Sequence, residues 1–176
     1  VDVIHHNLFT NQIAYLMLAF DCKKVPDELL PYVGLLSSVL GLMDTHRHTY
    51  PELTNEININ SGGISTDAAI YTDSKDFSKY TVMYEVKGKV LYEKLPFVLE
   101  MMYEIIYETK FEDEKRLREI IARIKSRMES NMTGSGHTVA MLSAMAQFSP
   151  SSYYSDILRG YQYYEFIEKA DRDFDS

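Results

Sequence analysis

Two histidines one residue apart are the first place where this sequence could do chemistry. His46-Arg47-His48 falls between two stretches of helical periodicity, with Asp44 and Glu52 close by. Catalytic zinc takes three fixed protein ligands and keeps a position open, and an H-x-H pair supplies two of them. No third ligand stands at a diagnostic spacing, so a polar surface loop is the simpler reading. His5-His6 sits at a frayed start. His137, at a helix start, is read as capping or packing against the preceding turn rather than as an anion site. Thr133-Gly134-Ser135-Gly136-His137-Thr138 has the glycines of a phosphate cradle. A P-loop needs G-x-x-x-x-G-K-[ST] after a strand, and here both the Lys and the strand are missing. Ser135 as a nucleophile fails similarly, because there is no G-x-S-x-G elbow. The string reads as a helix break. Glu104/Glu108 and Glu112/Glu114 pair carboxylates, but on solvated helix faces or termini nothing tunes them for acid or base work. Among the 14 Tyr, Tyr153, Tyr154, Tyr161, Tyr163 and Tyr164 crowd the end of the chain. An apolar body with a polar tip suits either a wet peptide-binding wall or the rim of a core.

The elements that must position these residues follow from hydrophobic periodicity. Residues 8–20 are apolar at even positions (Ala14, Leu16, Leu18, Phe20) and at odd ones (Ile13, Tyr15, Met17, Ala19). That pattern predicts a central strand covered on both faces, with a buried helix as the alternative. Asp27 opens a helix on which Leu29, Val33, Leu36, Leu40 and Met43 recur every three or four residues. Leu30, Val39 and Leu42 widen the stripe until the helix is nearly surrounded by protein. A second helix covers residues 50–58, with Pro51 in its first turn and Ser61-Gly62-Gly63 after it. Residues 64–72 and 80–87, separated by Asp73-Ser74-Lys75-Asp76, predict an antiparallel hairpin. Helices over 90–109, 112–131, 137–148 and 152–170 complete the chain.

The order β-α-α-β-β-α-α-α-α does not alternate as a doubly wound sheet does. It predicts the α+β class, helices packed on a mostly antiparallel sheet. Three strands are few for so many helices. Either an exposed edge associates with something, or further strands lie outside this segment.

Composition bounds the function classes. The 176 residues are 45% hydrophobic and 25% charged, with 8 Gly and 5 Pro, which excludes disorder and low complexity. One α+β unit over 1–176 is expected. Cys22 is the single cysteine, so no internal disulfide forms; a cytoplasmic location is expected, and the mitochondrial matrix tolerates one Cys equally. The net charge of −8 (18 Lys+Arg against 26 Asp+Glu) repels phosphate at long range and argues against a nucleic-acid partner. No apolar run reaches 18 residues, so no membrane span is expected. The start, Val1-Asp2-Val3-Ile4-His5-His6, has no signal-peptide pattern and no Met, as expected of a piece of something longer.

Phe9-Thr10-Asn11-Gln12-Ile13-Ala14-Tyr15, Leu30-Pro31-Tyr32, Leu42-Met43-Asp44-Thr45, Gly62-Gly63-Ile64-Ser65, Gly134-Ser135-Gly136-His137 and Phe148-Ser149-Pro150 occur in that order. Together they resemble the presequence-protease branch of the pitrilysin/insulinase-type zinc metallopeptidases, over nearly the whole chain. The resemblance implies two similar halves closing around a peptide. The first half holds zinc through an inverted H-x-x-E-H motif and a later Glu. The second keeps the fold without the metal and contributes chamber wall. This chain resembles the first unit of that second half.

Counting back from Asp44-Thr45, the resemblance puts Leu35 and Val39 where the two His would be and Ser38 where the catalytic Glu would be. Leu and Val offer zinc no lone pair, and Ser38 is no general base near neutral pH. The third ligand, about 75 residues further on, lands near Lys115-Arg116, cations that repel a metal, with Glu112, Glu114 and Glu119 close by. The expectation is a non-catalytic unit without a cofactor of its own, its zinc in the other half of the parent enzyme. Its partners would be that catalytic half and a peptide substrate, with Tyr153, Tyr154, Tyr161 and Tyr164 lining the chamber. The alternatives are a stand-alone inactive paralogue that binds peptides or a partner protein, and an independent metal enzyme using His46 and His48.

Overall fold

The computed structural model describes residues 2–76 and 78–175. Three antiparallel strands form one sheet: β1 (Ile13–Asp21), β2 (Ile64–Thr72) and β3 (Tyr80–Leu91), in the order β1-β3-β2. Six helices accompany it: α1 (Leu30–Val39), α2 (Tyr50–Asn60), α3 (Leu95–Tyr107), α4 (Glu114–Met145), α5 (Pro150–Arg159) and α6 (Tyr161–Arg172). The fold is α+β, with helices on a purely antiparallel sheet.

The core follows from the alternation of β3. Val82, Tyr84, Val86 and Val90 point to one face and are buried. Against them pack Val98, Met102 and Ile105 of α3, with Leu53 and Ile57 of α2 in the same cluster. Each fully buried aliphatic side chain of this kind contributes about 1.5–3 kcal/mol relative to exposure. A second seam joins α1 to α4 through Val39, Met43 and Ile120, and a third joins α4 to α6 through Ile121, Tyr163 and Ile167. Where α1 meets α5, Gly34 is obligatory: a Cβ there would lie 2.5 Å from the Leu158 carbonyl oxygen.

The structure corrects several expectations. β1 is an edge strand, not a central one. Ala14, Leu16 and Leu18 pack on the core, whereas Tyr15 and Met17 are 65% and 52% exposed on the other face. Apolar residues on both faces therefore do not mean that both are covered. The first helix stops at Val39 because Leu40 is already extended (ψ 134°), so Met43 is buried from the loop that follows. β3 keeps its alternation through Val90, and the next helix starts only at Leu95, with Pro96 in its first turn. The break at Gly134-Ser135-Gly136 is a kink inside α4, where Ser135 alone leaves helical backbone (φ −141°, ψ 39°).

The last predicted helix is two, divided at Gly160. The buried Asp156 explains the division. Its Oδ1 accepts the Tyr161 N–H (2.7 Å) and its Oδ2 accepts from Gln162 Nε2 (3.0 Å), so it caps α6 from within α5.

Candidate functional site

The α1 positions that the resemblance singles out lie in hydrocarbon. Val39 is 2% exposed and packs with Met43 and Ile120, while Leu35 reaches Leu117 and Ile124 of α4. Ser38 is half-buried beside Tyr163; burial pushes the Tyr163 phenol up to about 12, and Ser38 partly offsets that rise. The α4 residue that comes closest to a third-ligand position, Arg116, is a cation with work of its own. Its Nε donates to the Leu42 carbonyl (3.0 Å) and its guanidinium lies over the Tyr50 ring at 3.9 Å. Lys115, Glu112, Glu114 and Glu119 are exposed. These residues do not fit a zinc ion, and among the described residues no group of three His, Cys, Asp or Glu is placed to hold one.

The polar residues that do converge are those of the His46-Arg47-His48 loop and the carboxylates of α3, which the sequence reading leaves in solvent. Backbone bonds dock the loop on the end of α3: Lys110 N–H donates to Asp44 O (2.8 Å) and His46 N–H to Glu108 O (3.0 Å). Arg47 then spans two carboxylates. Its Nε and Nη2 bind both oxygens of Glu108 at 2.8 Å, and its Nη1 reaches Glu100 at 2.7 Å. Glu104, between them in sequence, is fully buried. Its Oε1 accepts from the Thr45 hydroxyl and lies 2.8 Å from His48 Nδ1; its Oε2 is buried without a hydrogen-bond partner among the described residues. His46 stays exposed.

A threonine, an imidazole and a carboxylate in contact invite comparison with a nucleophile relay. In a relay the imidazole stands between hydroxyl and carboxylate. Here Thr45 and His48 bind the same carboxylate oxygen, so the hydroxyl proton points to Glu104 and not to a base. The cluster pins a loop. A signal for it existed: Glu104 lies one turn from the buried Met101 and next to the buried Ile105, on the flank of the core-facing stripe.

A second buried carboxylate, Glu85, sits on the sheet face opposite the helices. It accepts from the Tyr71 hydroxyl and pairs with Lys87 Nζ at 2.6 Å. Burial by itself would raise it, but Lys87 and Tyr71 outweigh burial and hold the carboxyl below its ordinary value.

The tyrosines divide between two neighbourhoods. Tyr154 of α5 packs on Tyr80 at 4.8 Å and donates to the Asp27 carboxylate at 3.2 Å; Tyr153 meets it edge-on. The Tyr80 hydroxyl first, then burial and Asp27, raise the Tyr154 phenol. Tyr161 and Tyr164 of α6 pair at 6.2 Å, and Tyr164 donates to Glu129 of α4 at 3.3 Å. Tyr153 and Tyr161 are the more exposed of each pair. A cavity of about 220 Å³ beside α2, with Leu40, Thr54, Ile57 and Thr66 in its wall, contains no titratable side chain.

A family model described as "Peptidase M-16C associated" matches residues 1–169, nearly the whole chain. The chain belongs to this family. "Protein HypA" of Clostridium perfringens is 34% identical over 98% of the chain, which covers 18% of that protein. "Presequence protease 1, chloroplastic/mitochondrial" of Arabidopsis thaliana is 29% identical over 99% of the chain and 16% of its own length. The mitochondrial presequence protease of Candida albicans is 28% identical, at 99% and 17%. The chain thus spans about a sixth of the curated relatives it matches, and this peptidase-associated region is a segment of larger peptidase chains. Among the described residues no helix is long and apolar enough to cross a membrane.

Proposed function

We propose that residues 1–176 form one non-catalytic α+β unit of a zinc-dependent metallopeptidase that degrades short or unstructured peptides, and that the unit forms part of the wall of the enclosed substrate chamber. The observation that carries this reading is the apolar seam of Leu35, Val39 and Ile120, where a catalytic unit would need imidazole. Ser38 completes the degenerate motif. Zinc, and hydrolysis by metal-activated water, belong to the other half of the same polypeptide. Tyr153 and Tyr161, the exposed members of the two tyrosine pairs, with Tyr154 and Tyr164 behind them, are assigned to the chamber lining. The partners are the catalytic half and a peptide, in cytoplasm or mitochondrial matrix.

The test compares the full-length protein with residues 1–176 alone. The full-length protein cleaves an unstructured peptide in a chelator-sensitive way, and the segment neither cleaves nor carries stoichiometric zinc. Cleavage or intrinsic zinc in the isolated segment overturns the reading. So does a full-length protein that binds peptides without cutting them, which is the behaviour of an inactive paralogue.

A further inference from the structure

We propose that β1 is a strand-pairing edge, and that its occupant is an extended segment of the same polypeptide from outside residues 1–176. The proposal rests on the reading of this chain as one unit of a larger peptidase. β1 pairs with β3 on one side only, in a register joining Ala14 to Val90 and Leu18 to Val86. The bonds that flank this ladder, Tyr92 N–H to Gln12 O and Cys22 N–H to Val82 O, fall on even-numbered residues of the strand side. Antiparallel pairing alternates, so the even residues turn to β3 and the odd ones, Tyr15, Met17 and Ala19, aim N–H and C=O at the free edge.

Natural edge strands are protected from pairing by Lys, Pro, a bulge or an inward charge. β1 has none of these between Ile13 and Phe20, and its register with β3 is continuous. The opposite edge strand, β2, carries Asp67 at its centre. The outward face of β1 is also apolar through Tyr15 and Met17, and Leu8 and Phe9 just before it are exposed, Phe9 by 95%. An unguarded edge beside uncovered apolar surface is built to be covered. The relatives carry this region within chains some six times as long, which supplies a covering strand without a second molecule.

Hydrogen exchange on the purified full-length protein tests this. The Tyr15, Met17 and Ala19 amides are expected to exchange more than about 100-fold slower than in an unstructured peptide, at any protein concentration and without added peptide. Slowing below that level overturns the proposal. Protection that grows with protein concentration assigns the edge to a second copy, and protection that appears only with an added unstructured peptide assigns it to substrate; either overturns the proposed occupant. Met17→Pro deletes one outward N–H and spares the β3 ladder. It should speed exchange at Tyr15 and Ala19 by about tenfold or more, and unchanged exchange also overturns the pairing; if this variant does not fold, the wild-type exchange decides. Peptidase activity of the same sample separates the two claims. An active protein with a free β1 edge sinks only the pairing, and a protected edge in an inactive protein sinks only the peptidase reading.

Discussion

His48 Nδ1 lies 2.8 Å from Oε1 of Glu104, across 56 residues of sequence, and the same oxygen takes the Thr45 hydroxyl. Two loop residues thus depend on one buried carboxylate. Glu104→Ala leaves both partners unsatisfied and opens a void, and should destabilise the protein by about 3 kcal/mol. Glu112→Ala, at an exposed position, should stay within about 0.5 kcal/mol of wild type. Urea unfolding measures both; equal effects would show that the Glu104 cluster contributes nothing.

The Glu85–Lys87 pair makes stability depend on pH at both ends. A carboxyl held below its ordinary value contributes stability above the unfolded value, about 4.3, and loses it as pH falls through the folded one. Lys87 is raised, chiefly by the hydrogen bond to Glu85, so its share is present below about 10.4 and lost as pH rises beyond the folded value. Glu85→Gln should therefore cost most between those limits, with the gap to wild type narrowing below about pH 4 and again in strong alkali. Unfolding at a series of pH values checks this, and a gap constant with pH would show that ionisation plays no part.

Asp156 and Gly160 act as a unit at the α5–α6 corner. Asp156→Ala removes the cap from the Tyr161 N–H and should cost about 1–2 kcal/mol. Gly160→Ala would set a Cβ 2.1 Å from Asp156 Oδ1 and 2.7 Å from Asp156 Cα, costing about 1–3 kcal/mol. Because the two share an atom, the double variant should lose less than the sum. Strict additivity in thermal unfolding would refute the coupling.

Rebuilding the motif should not rebuild a metal site. Leu35→His, Ser38→Glu and Val39→His together write H-x-x-E-H onto α1, but Arg116 and Ile120 of α4 supply no third ligand. Burying the polar group at Val39 alone should cost about 2–4 kcal/mol. The triple variant should unfold more easily and carry no stoichiometric zinc in metal analysis. Tight zinc binding would mean that α1 and α4 already hold a ligand geometry.

Local periodicity made most elements legible. The α1 stripe, the β2–β3 hairpin and the glycine break in α4 depend on neighbours within a few residues, which is where backbone propensity acts. The capping box of α2, Thr49 with Glu52, is local in the same way. Asp156 as a cap was harder to see, because Ser149-Pro150 gives a strong start signal and an uninterrupted polar–aromatic run hides the stop at Gly160.

The sequence alone determined the α+β class, the family, and the replacement of imidazole by Leu35 and Val39, since side-chain chemistry at a position does not wait on tertiary contacts. Tertiary structure alone decided that β1 lies at an edge and that Glu104 is buried. Both depend on partners dozens of residues away. A strand's pattern records that each face is apolar but not what covers it, and a glutamate on a helix flank is wet or dry according to the loop that docks there.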